Sequence, residues 1–310
     1  MKNNLLNNQE FNVDLSFMNV EKLRLKARNK FIKNLIILFI LSFVVYLFFK
    51  KKLYIESSSI FVLLFLSFFI ANMLVLKDKR EFKVAYKKYF VISIFNNLVE
   101  SVKFDLSNGI SEDKISNTQM MVMGDEFYSN DYVSGIYKGV NFEYSDICIR
   151  DKWRDSDGDT HYVTLFKGQW FIFDYNKNFK SNFQVCEKKF KNSKLENLIN
   201  MFKYNKVEFE DIEFNKMFNV YAQNDLDAFY VLTPSMLENI KEINKKIYGE
   251  LLFCFIDNKL HIGLSNDKDS FEASIFKKIN ENDEKKKVEI EIKTILNFID
   301  ILNLDNTLFK

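Results

Sequence analysis

Side chains able to do chemistry are few in this sequence and stand far apart. Glu208, Glu210, Asp211 and Glu213 make an acidic run that can attract a cation. Joined by Asp225 and His261, Glu210 and Asp211 would form a carboxylate-rich catalytic site if the fold brought them into one concave pocket. A solvated face explains the same run more simply, because charge runs usually face water. Asp155-Ser156-Asp157-Gly158-Asp159 invites comparison with a calcium loop, which needs glycine sixth and glutamate twelfth. Counting from Asp155, Gly158 is fourth and Phe166 twelfth, so a turn between strands is expected. His161 and His261, the two histidines, show no HExxH or HxH spacing, and Cys148, Cys186 and Cys254 form no CxxC pair. No GxSxG, P-loop or GxGxxG is present. The sequence therefore assigns no catalytic residue, metal or cofactor, and the three thiols read as buried and reduced.

The elements that would position any site begin with two apolar stretches. The chain has 310 residues, 47% hydrophobic and 16% aromatic, with 34 Phe, eight Gly and one Pro. That composition excludes a disordered chain, a collagen-like fibre and a small disulfide scaffold. Much of the Phe excess lies in residues 31–49 and 60–76, each long enough to cross a hydrocarbon core of roughly 30 Å as a helix. Residues 31–76 are expected to form a transmembrane hairpin after a basic cytoplasmic segment, 1–30, and residues 77–310 a cytoplasmic domain. Six Lys/Arg flank each outer end, among them Lys26, Arg28 and Lys30 before the first helix and Lys77, Lys79 and Arg80 after the second. The connecting loop holds Lys50, Lys51 and Lys52, so both termini are predicted on the cytoplasmic side of a bacterial inner membrane. The first eighty residues carry 13 Lys/Arg against 5 Asp/Glu, and the remainder 31 against 37. Lipid headgroups suit the basic part. The acidic remainder argues against nucleic acid as a partner.

Beyond the hairpin, Val91, Ile94, Phe95, Leu98 and Val102 recur at helical spacing, which predicts a helix ending by Asn108-Gly109. Strands are expected over residues 132–137 and 140–149, 160–166 and 169–175 about a turn at Lys167-Gly168, 183–187, and 251–256 and 260–264 about Asp257-Asn258. Residues 195–202 and 213–218 read as short helices, with 207–209 and Val220-Tyr221 extended. Thr233-Pro234 should cap and start a helix running to about Tyr248. Residues 294–304 close the chain as an amphipathic helix, and Val288, Ile290 and Ile292 alternate as a strand would. Strands without βαβ alternation predict an α+β domain with a mainly antiparallel sheet and flanking helices.

The stretch VEFEDIEFNKMFNVYAQNDLDAFYVLTPSMLENI, residues 207–240, resembles a bacterial membrane family known as domain of unknown function 3137. LVESVKFDLSNGIS (98–111), FEYSDI (142–147), LFKGQWFIFDYNKNF (165–179) and LHIGLSNDKDSFEASIF (260–276) extend the resemblance over most of residues 80–280. The most specific matches are Glu210-Asp211, Phe214, Phe218, Val220-Tyr221 and Leu232-Thr233-Pro234. An Arg usual in the family before the Tyr matched by Tyr230 is Phe229 here. The resemblance implies an N-terminal pair of membrane helices and brings no activity or cofactor. Glu210, Asp211, Phe214, Phe218, Tyr221, Asp225 and Thr233 are accordingly the candidate partner- or ligand-binding residues. The function expected is a membrane-anchored binding or scaffold domain without catalysis, facing a protein partner or a second copy of itself. A membrane-tethered enzyme and an oligomeric membrane scaffold or small channel are the competing readings.

Overall fold

The computed structural model describes residues 16–53, 58–177, 179–190, 199 and 201–304. The chain divides into two units, the first made of residues up to Ser93 with Phe271–Val288, the second of Ile94–Ser270 with the residues from Glu289 onward.

In the first unit, residues 17–53 contain no Gly or Pro, and they form one continuous helix of 37 residues, α1 (Phe17–Leu53). The basic flank and the apolar run are thus a single rod of about 55 Å. Within it, Phe17–Leu47 is long and apolar enough to cross a membrane. Helix α2 (Ser58–Met73) follows, then α3 (Leu76–Tyr86). Phe61–Met73 and Leu76–Leu98, bent by 48°, pass the same test only as a pair. The Ser42 and Ser67 hydroxyls share a 2.6 Å hydrogen bond between α1 and α2, and Ser67 also bonds the Leu63 carbonyl at 2.8 Å. Between α1 and α3, Asp78 accepts Lys26 at 3.0 Å and Lys30 at 2.6 Å. These two lysines hold the Asp78 carboxyl below its ordinary pKa. Arg24 is fully covered, and its guanidinium bonds Glu21 and donates to the Ile275 carbonyl at 2.8 Å.

A π-helical turn (Lys87–Ile92) leads to α4 (Ser93–Leu98), where the helix stops. The helix expected to reach Asn108 is therefore corrected: Glu100–Asp105 is strand β1. Val102 and Phe104 alternate inward there, and pairing with the next strand overrides the helical spacing.

The second unit is built on nine strands: β1, β2 (Glu126–Tyr137), β3 (Val140–Arg154), β4 (Thr160–Asp174), β5 (Phe183–Glu187), β6 (Asn205–Val207), β7 (Phe218–Ala222), β8 (Glu250–Ile256) and β9 (Lys259–Ser265). They form one sheet in the order β1-β2-β3-β4-β9-β8-β5-β7-β6, every adjacent pair antiparallel. Lys138-Gly139 and Asp257-Asn258 make the expected tight turns, all four residues at φ between 50° and 77°. Short helices α5 (Glu112–Ser116), α6 (Ile212–Met217) and α7 (Asp225–Val231) and the longer α8 (Pro234–Lys246) and α9 (Glu281–Ile301) complete the described chain. Helix α7 has no counterpart in the sequence reading, and the helix expected over 195–202 falls largely outside the described residues. Val288, Ile290 and Ile292 are helical within α9, which corrects the alternating-strand alternative.

Both faces of the sheet are covered. Odd-numbered residues of β4 meet the C-terminal turns of α9, with Phe298 4.9 Å from Phe171 between ring centres. Even-numbered ones, Phe166, Trp170 and Ile172, join Ile115, Met120, Leu252 and Cys254 in the opposite core.

The hairpin expected at Lys167-Gly168 does not form, because β4 runs straight through it. Gly168 serves instead as a point of close approach. A Cβ added there would lie 2.0 Å from the Leu264 carbonyl oxygen of β9, backbone that cannot move aside. Gly168→Ala should cost about 2–4 kcal/mol of stability, read as a lowered thermal midpoint of the full chain in detergent; an unchanged midpoint would show that β9 yields.

Candidate functional site

At one end of the sheet the sequence leaves a polar cleft of about 340 Å³. Its floor comes from Glu187 at the end of β5, Glu250 at the start of β8 and Ser265 at the end of β9; Asn244 of α8 and the link 247–249 close one side. Gly249, at φ 132°, lets that link lie against β9, where a Cβ would stand 2.7 Å from the Ser265 carbonyl. Tyr248 beside it is 78% exposed, with the Lys268 ammonium 5.2 Å from its ring centre. Glu187 is buried: one carboxylate oxygen accepts the Leu251 amide at 3.0 Å, and the other lies 3.8 Å from Lys189. Asn266 and Asp267 form the remaining wall.

That wall is held by buried side chains of the sheet. Asn266 Nδ2 donates to Gln169 Oε1 at 2.7 Å, and Gln169 Nε2 donates to the Lys268 carbonyl at 2.8 Å and to Asp146 Oδ1 at 3.2 Å. Asp146, the cross-strand neighbour of Gln169, accepts the Ser270 amide at 2.9 Å and the Tyr144 hydroxyl at 3.0 Å. Burial pushes the Asp146 carboxyl up to about 7, with Asp131 adding to the effect and the hydrogen bonds opposing it. Asp146 thus changes charge near neutrality while anchoring a wall of the cleft. Chemically, Glu187, Glu250 and Asp267 outnumber Lys189 and Lys268, so the cleft suits a ligand carrying a positive group and hydroxyl or amide donors. No cluster of three His, Cys, Asp or Glu that could hold a metal ion occurs among the described residues.

The residues singled out from sequence fall elsewhere. Asp211 caps α6, accepting the Phe214 amide at 2.9 Å, and takes Lys241 of α8 at 2.7 Å. Lys241 also bonds Glu213 and Glu238, and this pairing lowers the Asp211 carboxyl. Phe214 and Phe218 are buried, stacked at 5.1 Å between ring centres, while Tyr221 is half-buried on β7. Thr233 caps α8 through the Met236 amide at 3.4 Å. Glu210 and Asp225 are exposed, the latter in the first turn of α7 behind its cap Asn224. His261 is buried on β9, its Nδ1 accepting from Trp170 Nε1 at 3.3 Å, and burial lowers it to about 3. The fold therefore joins Asp211 and Glu213 through Lys241 without bringing Glu210, Asp225 or His261 into that cluster. The Asp155–Asp159 segment is a β3–β4 turn closed by Asp155 Oδ1 accepting the Asp157 and Asp159 amides.

Sequence reasoning missed Asp146, although a signal existed. It falls in phase between Val140, Phe142 and Tyr144 on one side and Cys148 on the other, a carboxylate within an otherwise apolar stretch of that strand face.

The architecture is that of an antiparallel α+β domain following an apolar N-terminal helix. Residues 164–304 match the model of a family described as protein of unknown function, DUF3137. The match begins in β4 and so includes every residue of the cleft, whereas the resembling segments 98–111 and 142–147 precede it. No curated protein matches the chain. Among solved structures, it is similar to the crystal structure of the mycobacterial trehalose monomycolate transport factor A, TtfA, at 10% identity and a TM-score of 0.31, over 64% of this chain and 88% of that one. A likeness of that degree carries no argument about function.

Because the folded Asp146 titrates far above its unfolded value of 3.8, the folded state binds its proton more tightly, and stability falls as pH rises through 7. The loss should reach about 2–4 kcal/mol between pH 5 and pH 8.5. Asp146→Asn should flatten that slope in urea unfolding of the full chain, whatever it does to absolute stability; an unaltered slope would contradict the assignment.

Proposed function

We propose that the chain is a membrane-anchored binding protein, held by a two-helix hairpin at about residues 31–49 and 60–76 and offering the acidic cleft to a basic group of its partner. The observation that carries the anchoring is the pattern of apolar exposure. Ile36, Ile40 and Val44 on α1 and Phe61, Phe65 and Phe69 on α2 each follow at four-residue spacing and are 54–73% exposed. Two such stripes on joined helices exceed what a water-facing surface keeps, each fully exposed side chain forgoing roughly 1.5–3 kcal/mol of burial. Lipid is the cover that fits. The Ser42–Ser67 bond supports two helices inserted as a pair, since interhelical serine bonds satisfy polar groups without exposing them to hydrocarbon. The distribution of Lys and Arg supports a bacterial inner membrane with both termini in the cytoplasm.

The binding role rests on the cleft, whose buried Glu187, exposed Tyr248 and loop wall combine charge, an aromatic face and a pH-sensitive support. No constellation of nucleophile, base and oxyanion donors accompanies it among the described residues, and the reading assigns it no catalysis. A Lys50→Cys chain should react with a membrane-impermeant maleimide in spheroplasts, and labelling only after lysis would contradict the orientation. Crosslinking in native membranes should capture a partner on the wild-type chain that Glu250→Gln/Asp267→Asn loses; identical partners on both would contradict the cleft as the binding surface.

A further inference from the structure

We propose that the irregular segment from Phe271 to Asn280 is a separate contact with the bilayer, placing Phe276 at headgroup depth and Lys277 and Lys278 against anionic lipid. The inference rests on the membrane-anchored reading and adds to it a surface far along the chain from the two apolar stretches. Three observations within the first unit carry it.

The segment is fixed, and it is fixed at one level of the anchor. Ile275 and Ile279 are turned inward, 5% and 6% exposed, and the Ile275 carbonyl accepts the covered Arg24 guanidinium of α1 at 2.8 Å. Glu272 receives Lys83 at 2.5 Å and Lys87 at 3.3 Å. A segment held at both its carbonyl and its carboxylate has a defined outward face.

That outward face is apolar where α1 becomes apolar. Phe276 is 54% exposed, and its ring lies edge-on to Phe31 at 5.3 Å between centres. Phe31 opens the apolar run of α1 and touches Phe68 of α2 at 5.8 Å, so Phe276 continues the apolar surface of both helices. The Lys79 ammonium, 5.5 Å from the Phe31 ring centre, marks the same level as the boundary of the polar zone.

Charge completes the match. Lys277 and Lys278 are exposed directly after Phe276, in a unit whose α1 also exposes Lys30 and Lys33 and whose α3 exposes Lys77 and Arg80. An aromatic ring followed by cations at the edge of an apolar belt is the arrangement that interfacial anchoring requires, the ring lying among headgroups and the cations facing acidic lipid.

The test adds one tryptophan at a time to the full chain in phosphatidylglycerol-containing vesicles, as Phe276→Trp or Phe65→Trp, and compares quenching by lipids brominated high or low on the acyl chain with that of the unaltered chain. Phe276→Trp should be quenched by the shallow bromines and Phe65→Trp by the deep ones. If Phe65→Trp is quenched while Phe276→Trp matches the unaltered chain, the interfacial segment falls and the anchor stands; if neither is quenched, the anchor itself falls. Deep quenching at position 276 would overturn the headgroup placement. Lys277→Glu/Lys278→Glu on the Phe276→Trp chain should lose shallow quenching in anionic vesicles, and retention of it would remove the lysines from the contact.

Discussion

The pairing of β4 with β9 is the constraint on which the second unit depends. It joins a meander of residues 100–174 to strands contributed after residue 183, in a register running from Gly168 opposite Ser265 to Asp174 opposite Lys259. Without it the chain would hold two half-sheets, each with a long open edge. The absence of a side chain at Gly168 permits the approach, and its register sets the position of Ser265 beside Gly249 at the cleft and the even-numbered β4 side chains in the core with Leu252 and Cys254.

Two polar groups then do different work. Asp146 is buried behind the seam and costs stability when ionised, yet its bonds to Gln169 and the Ser270 amide hold the 266–270 loop that walls the cleft. The Lys241 ammonium is raised by its hydrogen bonds to Asp211 and Glu238, the Asp211 carboxyl is lowered in turn, and the pair ties α6 to α8. Lys241 is itself buried while Glu213 and Glu238 face water, so the network's use is in fixing how α6 and α8 meet.

Local signals were legible where the physics is local. Lys138-Gly139 and Asp257-Asn258 gave their turns, and Thr233-Pro234 its helix start, because positive φ and capping act within a few residues. Gly168 misled because a glycine for a turn and a glycine for close approach read alike until the partner strand, some ninety residues on, is known. The acidic run at 208–213 read more simply as a solvated face than as a site, and its Asp211 caps a helix; Phe214 and Phe218, candidate contact residues, are packed inside. The cleft was invisible for the opposite reason. Glu187, Tyr248 and Asp267 are each unremarkable in sequence and meet only through the sheet order.

The apolar stripes of α1 and α2 decide whether this chain is a membrane protein. A hydrophobic carbene photolabel, generated within native membranes and mapped by peptide, distinguishes lipid contact from mere hydrophobic composition. Ile36, Ile40, Val44, Phe61, Phe65 and Phe69 should be labelled, while Ala71 and Val75, fully covered by neighbouring side chains, should not. Labelling absent from all of these positions, or equal on exposed and covered ones, would show that the stripes do not face lipid.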